Sequence, residues 1–234
     1  MKRIIVSFVI ALFAISIHAQ QTVGHFSLIP RAGVCIANIS GNKIYYETSS
    51  KPLDAKYNAR FVGGLDLEYQ ALPTTSVSIG ASYSQQGCRL PNFGSETNEG
   101  AGGKTSYSGW TKFREKLDYI QFPLMVNQYL IEGLVVKVGV QYGILANAEV
   151  SYNLSEVNYA DDGSSRETQI HHTDDIKGTL KKYDLSIPIG FSYEYQNVIL
   201  DARYNFGLTS LYKAKDMPKE KNRFFTITVG YRIF

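Results

Sequence analysis

Long apolar runs are scarce in this sequence. Only one occurs, from Ile4 to Ile17, and it is too short to span a bilayer comfortably, which takes about 20 residues. The sequence therefore gives no reason to expect a helical membrane span. The net charge of +3 is too small to indicate nucleic acid as a partner. The hydrophobic share of 44% is ordinary for a folded protein and excludes a disordered chain.

The apolar run has the features of a secretory signal. Lys2 and Arg3 form a positive segment before it, and the small residue Ala19 follows it. We therefore expect a signal peptide at residues 1–19 and one mature domain at residues 20–234. No cysteine follows the cleavage region, so a lipid anchor on an N-terminal cysteine is not expected.

Cysteine is rare too, with only Cys35 and Cys88. The export route permits a disulfide, but the two residues fall on strands that we do not expect to be neighbours. A bridge would have to cross the inside of the protein. Two inert buried thiols and a disulfide both remain possible at this point.

Aromatic residues and alternation are what the sequence has in abundance. There are 17 Tyr and 12 Phe against one Trp, a composition that favours β-strands. Apolar and polar residues alternate with a period of two in eight segments, of which the fifth, from Leu134 to Ile144, is the most regular. The pattern predicts eight strands, each with one apolar and one polar face.

The segments between the predicted strands are short and long in turn. The short ones are Leu72–Thr75, Ile131–Gly133 and Gln196–Asn197. The long ones, predicted to be solvated loops, are Ile39–Ala59, Arg89–Glu115, Ser151–Lys182 and Thr209–Asn222. Short turns at one end and long loops at the other are typical of a transmembrane barrel. We therefore predict an all-β fold: an eight-stranded antiparallel up-and-down transmembrane β-barrel with short periplasmic turns and long extracellular loops.

The apolar face carries aromatic residues near both ends of the strands, with aliphatic residues between. Such rings settle at the two interfaces of a bilayer with water. The predicted girdle consists of Phe61, Tyr69, Tyr83, Tyr142, Tyr193, Tyr204, Phe225 and Tyr231.

The opposite face mixes small residues with charges of both signs. An eight-stranded barrel is only wide enough to be filled by its own side chains, so opposite charges there should pair. The predicted lumen charges are Arg31, Asp66, Glu68, Lys137, Asp184, Glu194, Asp201, Arg203 and Arg232. A soluble, lipocalin-like ligand carrier would instead turn the apolar face inward.

The sequence ends in Gly230-Tyr-Arg-Ile-Phe234. The last predicted strand runs to an aromatic final residue, which resembles the C-terminal strand signal read by the barrel-insertion machinery. Phe234 is one residue out of phase with Phe225 to Tyr231.

Several segments together resemble the PorT-like outer-membrane β-barrel family of Bacteroidota. The most telling are Tyr119-Ile-Gln-Phe-Pro123 and Arg203-Tyr-Asn-Phe-Gly207. The resemblance covers essentially the whole mature chain and implies an eight-stranded barrel in the cell outer membrane. It implies no single activity. The founding member of the family resembles an accessory of the type IX secretion system, and no motif here carries that role over.

Few residues suggest chemistry. Gly100 to Thr105 departs from a phosphate-binding loop, because the required first glycine would stand at Asn98. His171, His172 and Asp174 form the one cluster that could act at a barrel rim or hold a metal. No partnered nucleophile is identifiable, so we expect no cofactor, no metal and no enzymatic activity.

The favoured hypothesis is a non-enzymatic outer-membrane barrel whose loops bind a partner or serve an envelope or secretion function. Its expected partners are outer-membrane lipid, lipopolysaccharide and an unidentified envelope or secretion protein. Lipopolysaccharide phosphates would be contacted by a basic cluster in the last loop: Lys213, Lys215, Lys219, Lys221 and Arg223. The alternatives are a rim-site hydrolase or acyltransferase, a narrow pore, and the soluble carrier.

Overall fold

The computed structural model describes residues 22–41, 43–44, 53–99, 104–159, 165–214 and 219–234. The predicted signal peptide, residues 1–19, lies outside these ranges. Within them the regular structure is β-strand, and no helix is long and apolar enough to cross a membrane.

The described residues form twelve strands. They are β1 (Phe26–Ser40), β2 (Lys43–Ile44), β3 (Leu53–Asp54), β4 (Lys56–Leu72), β5 (Thr75–Arg89), β6 (Phe93–Glu99), β7 (Lys104–Ile131), β8 (Leu134–Tyr159), β9 (Ser165–Asp175), β10 (Tyr183–Tyr195), β11 (Val198–Gly207) and β12 (Lys221–Tyr231).

Eight of these strands close into a ring. Their order is β1-β4-β5-β7-β8-β10-β11-β12, and β12 pairs again with β1. Every pairing in the ring is antiparallel. The prediction of an all-β fold with eight antiparallel ring strands is thus confirmed. A closed ring leaves no ring strand with an unpaired edge.

The strands alternate in burial along their length, with the polar face inside. In β5, Ser76, Ser78, Ser82 and Ser84 are buried, whereas Val77 and Ile79 are exposed. Ser76 has no accessible surface and Ile79 is 56% exposed. This is the reverse of a lipocalin-like carrier, which keeps its apolar side chains inside.

One end of the ring has only tight turns. β4 and β5 are joined by Pro73 and Thr74, β7 and β8 by Glu132 and Gly133, and β10 and β11 by Gln196 and Asn197. The three short connectors of the sequence therefore all fall at this end, here called the turn end. The opposite end is called the loop end.

The loop end differs from the prediction. Large parts of the expected solvated loops are strands. β6 and the first twelve residues of β7 lie in 89–115, and the end of β8 lies with β9 in 151–182. β7 and β8 remain paired up to Ser106 and Asn158, and β6 and β9 flank them. The loop prediction was wrong here because polar strands on a sheet outside the ring need no apolar alternation.

The last strand also ends earlier than predicted. β12 stops at Tyr231, three residues before the C-terminal Phe234. The following residues still lie against neighbouring strands, because the amide of Ile233 donates to the carbonyl oxygen of Leu28 at 3.0 Å. Ile233 and Phe234 are both exposed.

The backbone conformation of the turn between β10 and β11 restricts which residues can occupy it. Gln196 and Asn197 both have positive φ, 47° and 68°. A β-branched residue resists this conformation, so Asn197→Val should destabilise the ring by about 1–2 kcal/mol. Urea unfolding of the folded protein in lipid vesicles, read by heat-dependent gel mobility, measures this. Thr74→Val is the matched control, since Thr74 lacks a positive φ; equal losses in both variants would contradict the prediction.

Candidate functional site

The middle of the lumen holds a network of three cations and two carboxylates. Arg203 contacts Asp66 at 3.0 Å and Asp201 at 2.7 Å. Arg31 approaches Asp66 at 3.1 Å, and Lys137 binds Asp201 at 2.9 Å. All five side chains are almost completely buried. Since an unpaired buried charge costs several kcal/mol, the pairing is what permits this polar interior.

A second network lies nearer the turn end. Arg232 binds both carboxylate oxygens of Glu194, at 2.7 and 2.8 Å, and approaches Glu68 at 3.4 Å. The hydroxyl of Tyr129 donates to the same oxygen of Glu68, Oε1, at 2.6 Å. Asn127 links Glu68 to the serines of β5, with its amide nitrogen 3.0 Å from Ser76 Oγ.

Asp184, the remaining predicted lumen charge, lies at the start of β10, at the loop end. It is buried and has no ion-pair partner among the described residues. It accepts hydrogen bonds from Thr209 and from Asn222 instead. The nine predicted residues therefore fall into two ion-pair networks and one carboxylate held by neutral donors.

Among the described residues, little free space adjoins the central network. Two cavities of about 10 Å³ each lie beside Arg31 and Arg203, one next to Lys137 and the other next to Gln141. A cavity of that size holds about one water molecule. No hydrated ion could pass through it.

Sequence reasoning missed one ion pair that lies outside the two networks. Arg60 in β4 binds Asp118 in β7 at 2.9 Å. Arg60 also donates to the carbonyl oxygen of Gln86 at 3.0 Å. Arg60 and Asp118 lie next to the boundaries of predicted loops. Their pairing becomes evident only once β4 and β7 are known to continue as strands beyond those boundaries.

The outer surface of the ring carries the predicted girdle aromatics. Six are exposed and two are half-buried. The exposed ones are Phe61, Tyr69, Tyr83, Tyr142, Tyr193 and Tyr231, and the half-buried ones are Tyr204 and Phe225. Aliphatic residues such as Leu65, Ile79 and Val140 are exposed between them. An exposed apolar surface around a whole ring requires an apolar surrounding.

The loop end of the lumen is closed by residues 176–182 and 208–214, here called the mouth cover. Its two segments are held together by backbone hydrogen bonds: Lys181 to Leu211 at 2.7 Å and Lys213 to Thr179 at 3.1 Å. Leu180 and Leu211 are buried on an apolar floor below. The floor consists of Ile39, Cys88, Leu117, Tyr119, Leu145 and Ala148.

Cys88 belongs to this floor, and Cys35 lies deeper in the lumen. Both thiols have no accessible surface, and no disulfide joins them. β4 separates their strands β1 and β5, as the sequence spacing predicted. Of the two possibilities left open by the sequence, the structure has the buried thiols.

Beyond the ring, β6, β7, β8 and β9 form a four-stranded sheet, here called the projecting sheet. Arg114 is the last residue of β7 that pairs with β5, opposite Arg89. Beyond it β7 stays alongside β8 for about eight more residues, to Ser106, which is roughly 25 Å of extended chain. β6 and β9 are the edges of this sheet.

One face of the projecting sheet carries a row of stacked rings. Phe93 stacks on Trp110 at 5.3 Å between ring centroids, Phe113 on Tyr152 at 5.9 Å, and Tyr152 on His172 at 5.3 Å. Phe93 and Phe113 connect the two groups at 6.3 Å. The row, here called the aromatic row, therefore crosses all four strands.

The histidines of the predicted rim site lie in β9 and point to opposite faces. His172 belongs to the aromatic row, whereas His171 Nδ1 lies 2.8 Å from Asn153 Oδ1 and its Nε2 lies 3.2 Å from Thr173 Oγ1. Adjacent residues of a strand alternate between faces, so the two imidazoles cannot act on one atom. No group of three metal-binding side chains occurs in the part of the chain that the structure describes.

The basic cluster of the last loop is dispersed. Lys213 donates to the carbonyl oxygen of Gly178 at 2.6 Å and so belongs to the mouth cover. Lys219 and Arg223 are exposed, Lys221 is half-buried, and Lys215 lies outside the described residues.

A closed antiparallel ring with ion pairs inside and apolar side chains outside is the architecture of an outer-membrane β-barrel. The comparisons with known proteins agree. The family model "Outer membrane protein beta-barrel domain" matches residues 18–213, and the chain belongs to this family. Its location is accordingly the outer membrane.

Solved structures similar to this chain include two crystal structures of Ail, the attachment invasion locus protein of Yersinia pestis. One is a complex with the heparin analogue sucrose octasulfate. Each is 14% identical and covers 91% of this chain and 100% of the Ail chain, with TM-scores of 0.42 and 0.41. A third, the CymD monoaromatic hydrocarbon channel, is 10% identical, covers 91% of this chain and 88% of its own, and has a TM-score of 0.20. The search of curated proteins found no match.

The central network predicts unequal effects of removing its charges. Asp66→Asn would leave three cations facing one carboxylate and should lower the free energy of unfolding by about 3–5 kcal/mol. Lys137→Met would leave two cations facing two carboxylates, and Asp201 keeps its contact with Arg203, so the loss should be less than half as large. Urea titrations of both variants in the same lipid vesicles measure the two losses. An equal loss, or a larger one for Lys137→Met, would contradict this account of the lumen.

Proposed function

We propose that this chain is a non-enzymatic outer-membrane barrel of the PorT-like type, with periplasmic turns and an extracellular projecting sheet that binds an envelope or secretion protein. Residues 1–19 are its cleaved signal peptide in this proposal. The single observation that carries it is the projecting sheet itself, because two ring strands continue roughly 25 Å beyond the ring as a paired scaffold.

A rigid sheet suits recognition better than a set of loops. Binding residues held on paired strands need not be ordered when the partner arrives, which lowers the entropic cost of association. The aromatic row offers the side-chain types that are enriched at the centres of protein interfaces, and Trp110 and Tyr152 are the two best examples. Both are half-buried, so part of each ring remains accessible.

Lipopolysaccharide is the proposed lipid partner. The exposed cations Lys219 and Arg223 lie at the loop end, where they could contact its phosphates. Lys213 is already engaged within the mouth cover. The proposed contact is therefore smaller than the sequence cluster suggested.

The filled lumen argues against a pore. Purified protein reconstituted into planar bilayers should give no steady conductance, because the ion-pair networks and the mouth cover occupy the bore. Single-channel recording measures this directly. Regular ohmic steps in most insertions would contradict the proposal and favour the pore.

The binding role can be tested with two pairs of substitutions on opposite faces of one sheet. Tyr152→Ala with His172→Ala removes two of the five rings of the aromatic row, whereas Asn153→Ala with His171→Ala removes the hydrogen-bonded pair on the opposite face. The first pair should reduce the yield of a protein that co-purifies from native envelopes in mild detergent by at least about tenfold, the effect of losing an interface hot spot. The second pair should change the yield by less than about twofold.

The unsubstituted protein sets the reference for this comparison. Heat-dependent gel mobility shows that each variant is folded. The proposal would be contradicted if the unsubstituted protein retained no partner, or if both pairs of substitutions reduced the yield equally.

A further inference from the structure

Two buried carboxyl groups lie near the mouth of the ring, and neither belongs to the lumen networks. Glu115 lies on β7, five residues beyond Ile120, and between these two residues the strand has no exposed apolar side chain, which places Glu115 outside the membrane band. Glu220 precedes β12, and its carbonyl oxygen accepts the amide of Leu211 in the mouth cover at 2.9 Å. Glu115 is 4% exposed and Glu220 is 5% exposed.

Each carboxyl group has an oxygen without a hydrogen-bond partner among the described residues, Oε1 of Glu115 and Oε2 of Glu220. The thiol of Cys88 donates to the other oxygen of Glu115 at 3.9 Å. Gly87 lets β5 lie this close to the backbone of Glu115, because a Cβ at position 87 would lie 1.9 Å from the carbonyl oxygen of Glu115. Gly87 also has a φ of +113°. The site is therefore built from a ring wall on one side and the mouth cover on the other.

The titratable groups that the structure describes around this pair are a thiol, two phenols and a carboxyl group. β5 contributes Cys88, β7 contributes Tyr119, the mouth cover contributes Tyr212, and Asp184 lies beyond Tyr119 at the start of β10. No lysine or arginine nitrogen of the described residues forms an ion pair with either carboxyl group. The cover itself contains four lysines: Lys177, Lys181, Lys182 and Lys213. Lys177 donates to the carbonyl oxygen of Ala146 and Lys213 to that of Gly178, so both are directed away from the pair.

Burial without a cation makes ionisation of this pair unfavourable. It raises the pKa of Glu115 from 4.5 to about 7, and the charge of Glu220 adds to the rise, while the Cys88 hydrogen bond opposes it. Burial also raises the pKa of Glu220 to about 7. In a cover that has lifted away, both groups would be in water and would regain ordinary values.

The geometry points to a pH-operated lid: the mouth cover stays closed while Glu115 and Glu220 are protonated and lifts from its apolar floor when they ionise. This goes beyond the proposed binding role and does not depend on it. An open lid uncovers Cys88, Leu117 and Leu145, which form an apolar recess at the foot of the projecting sheet.

The direction of the pH dependence follows from linkage. Both groups bind protons more tightly in the closed state, so its advantage is complete below pH 4.5 and is lost as the pH rises towards 7. Within that window each carboxyl group lowers the ratio of closed to open molecules about tenfold per pH unit. The burial of Tyr212 raises the pKa of its phenol further above 10, so it stays neutral throughout.

Hydrogen exchange of the amides that hold the cover closed tests the lid. These are the amides of Lys181, Leu211 and Lys213. Exchange rates are measured between pH 5 and 7.5 for the unsubstituted chain and for the double variant Glu115→Gln/Glu220→Gln, both in lipid vesicles. At each pH the rate of the unsubstituted chain is divided by the rate of the variant, which removes the intrinsic effect of pH on exchange. The ratio should rise at least about tenfold across this range, while the ring amides of β1 and β12 stay protected in both proteins.

Two further variants serve as a substitute and a control. If the double variant does not fold, Glu220→Gln alone takes its place, and it should show part of the same difference in exchange rate from the unsubstituted protein. Glu132→Gln changes an exposed carboxyl group at the turn end and should exchange like the unsubstituted protein. A ratio that stays within about twofold over the whole range would overturn the inference. So would a rise accompanied by equal loss of protection in β1 and β12, because the ring rather than the lid would then be opening.

Discussion

Arg203 binds two buried carboxylates at once, and the inward polar face of the ring depends on contacts of this kind. Without Asp66 and Asp201, its guanidinium would be an uncompensated charge within a narrow ring of eight strands. With them, polar side chains can fill the interior and leave the apolar ones to face lipid. The same constraint explains why the cavities beside Arg203 are no larger than one water molecule.

The ring could be predicted from the sequence because a period of two is visible wherever a strand has unlike faces. The ion pairs could not be assigned, since Asp66 and Arg203 are 137 residues apart and meet only across the closed lumen. The projecting sheet was missed for a related reason. β6 and β9 are stabilised by their pairing with β7 and β8, and a strand outside the ring need not alternate.

Glu115 and Glu220 were missed because both stood in predicted loops, where a carboxylate is ordinarily hydrated. Their burial follows from the folding of the mouth cover onto the floor, which brings together chain segments that are about 100 residues apart in the sequence. In the sequence, Gly87 could have indicated a close approach of two strands near the end of β5. Only the structure shows that the neighbouring backbone is that of Glu115. The loop end therefore combines a fixed projecting sheet with a cover whose contacts depend on protonation.

The central claim is that apolar side chains of the ring face lipid and polar ones face the axis. Spin labels on single cysteines along β5, placed in a Cys35→Ser/Cys88→Ser background, test it most directly. Labels at Val77 and Ile79 should collide with oxygen dissolved in the bilayer, whereas labels at Ser76 and Ser78 should be immobile and shielded from it. The reverse pattern, with labels at Val77 and Ile79 shielded and those at Ser76 and Ser78 accessible, would contradict the account.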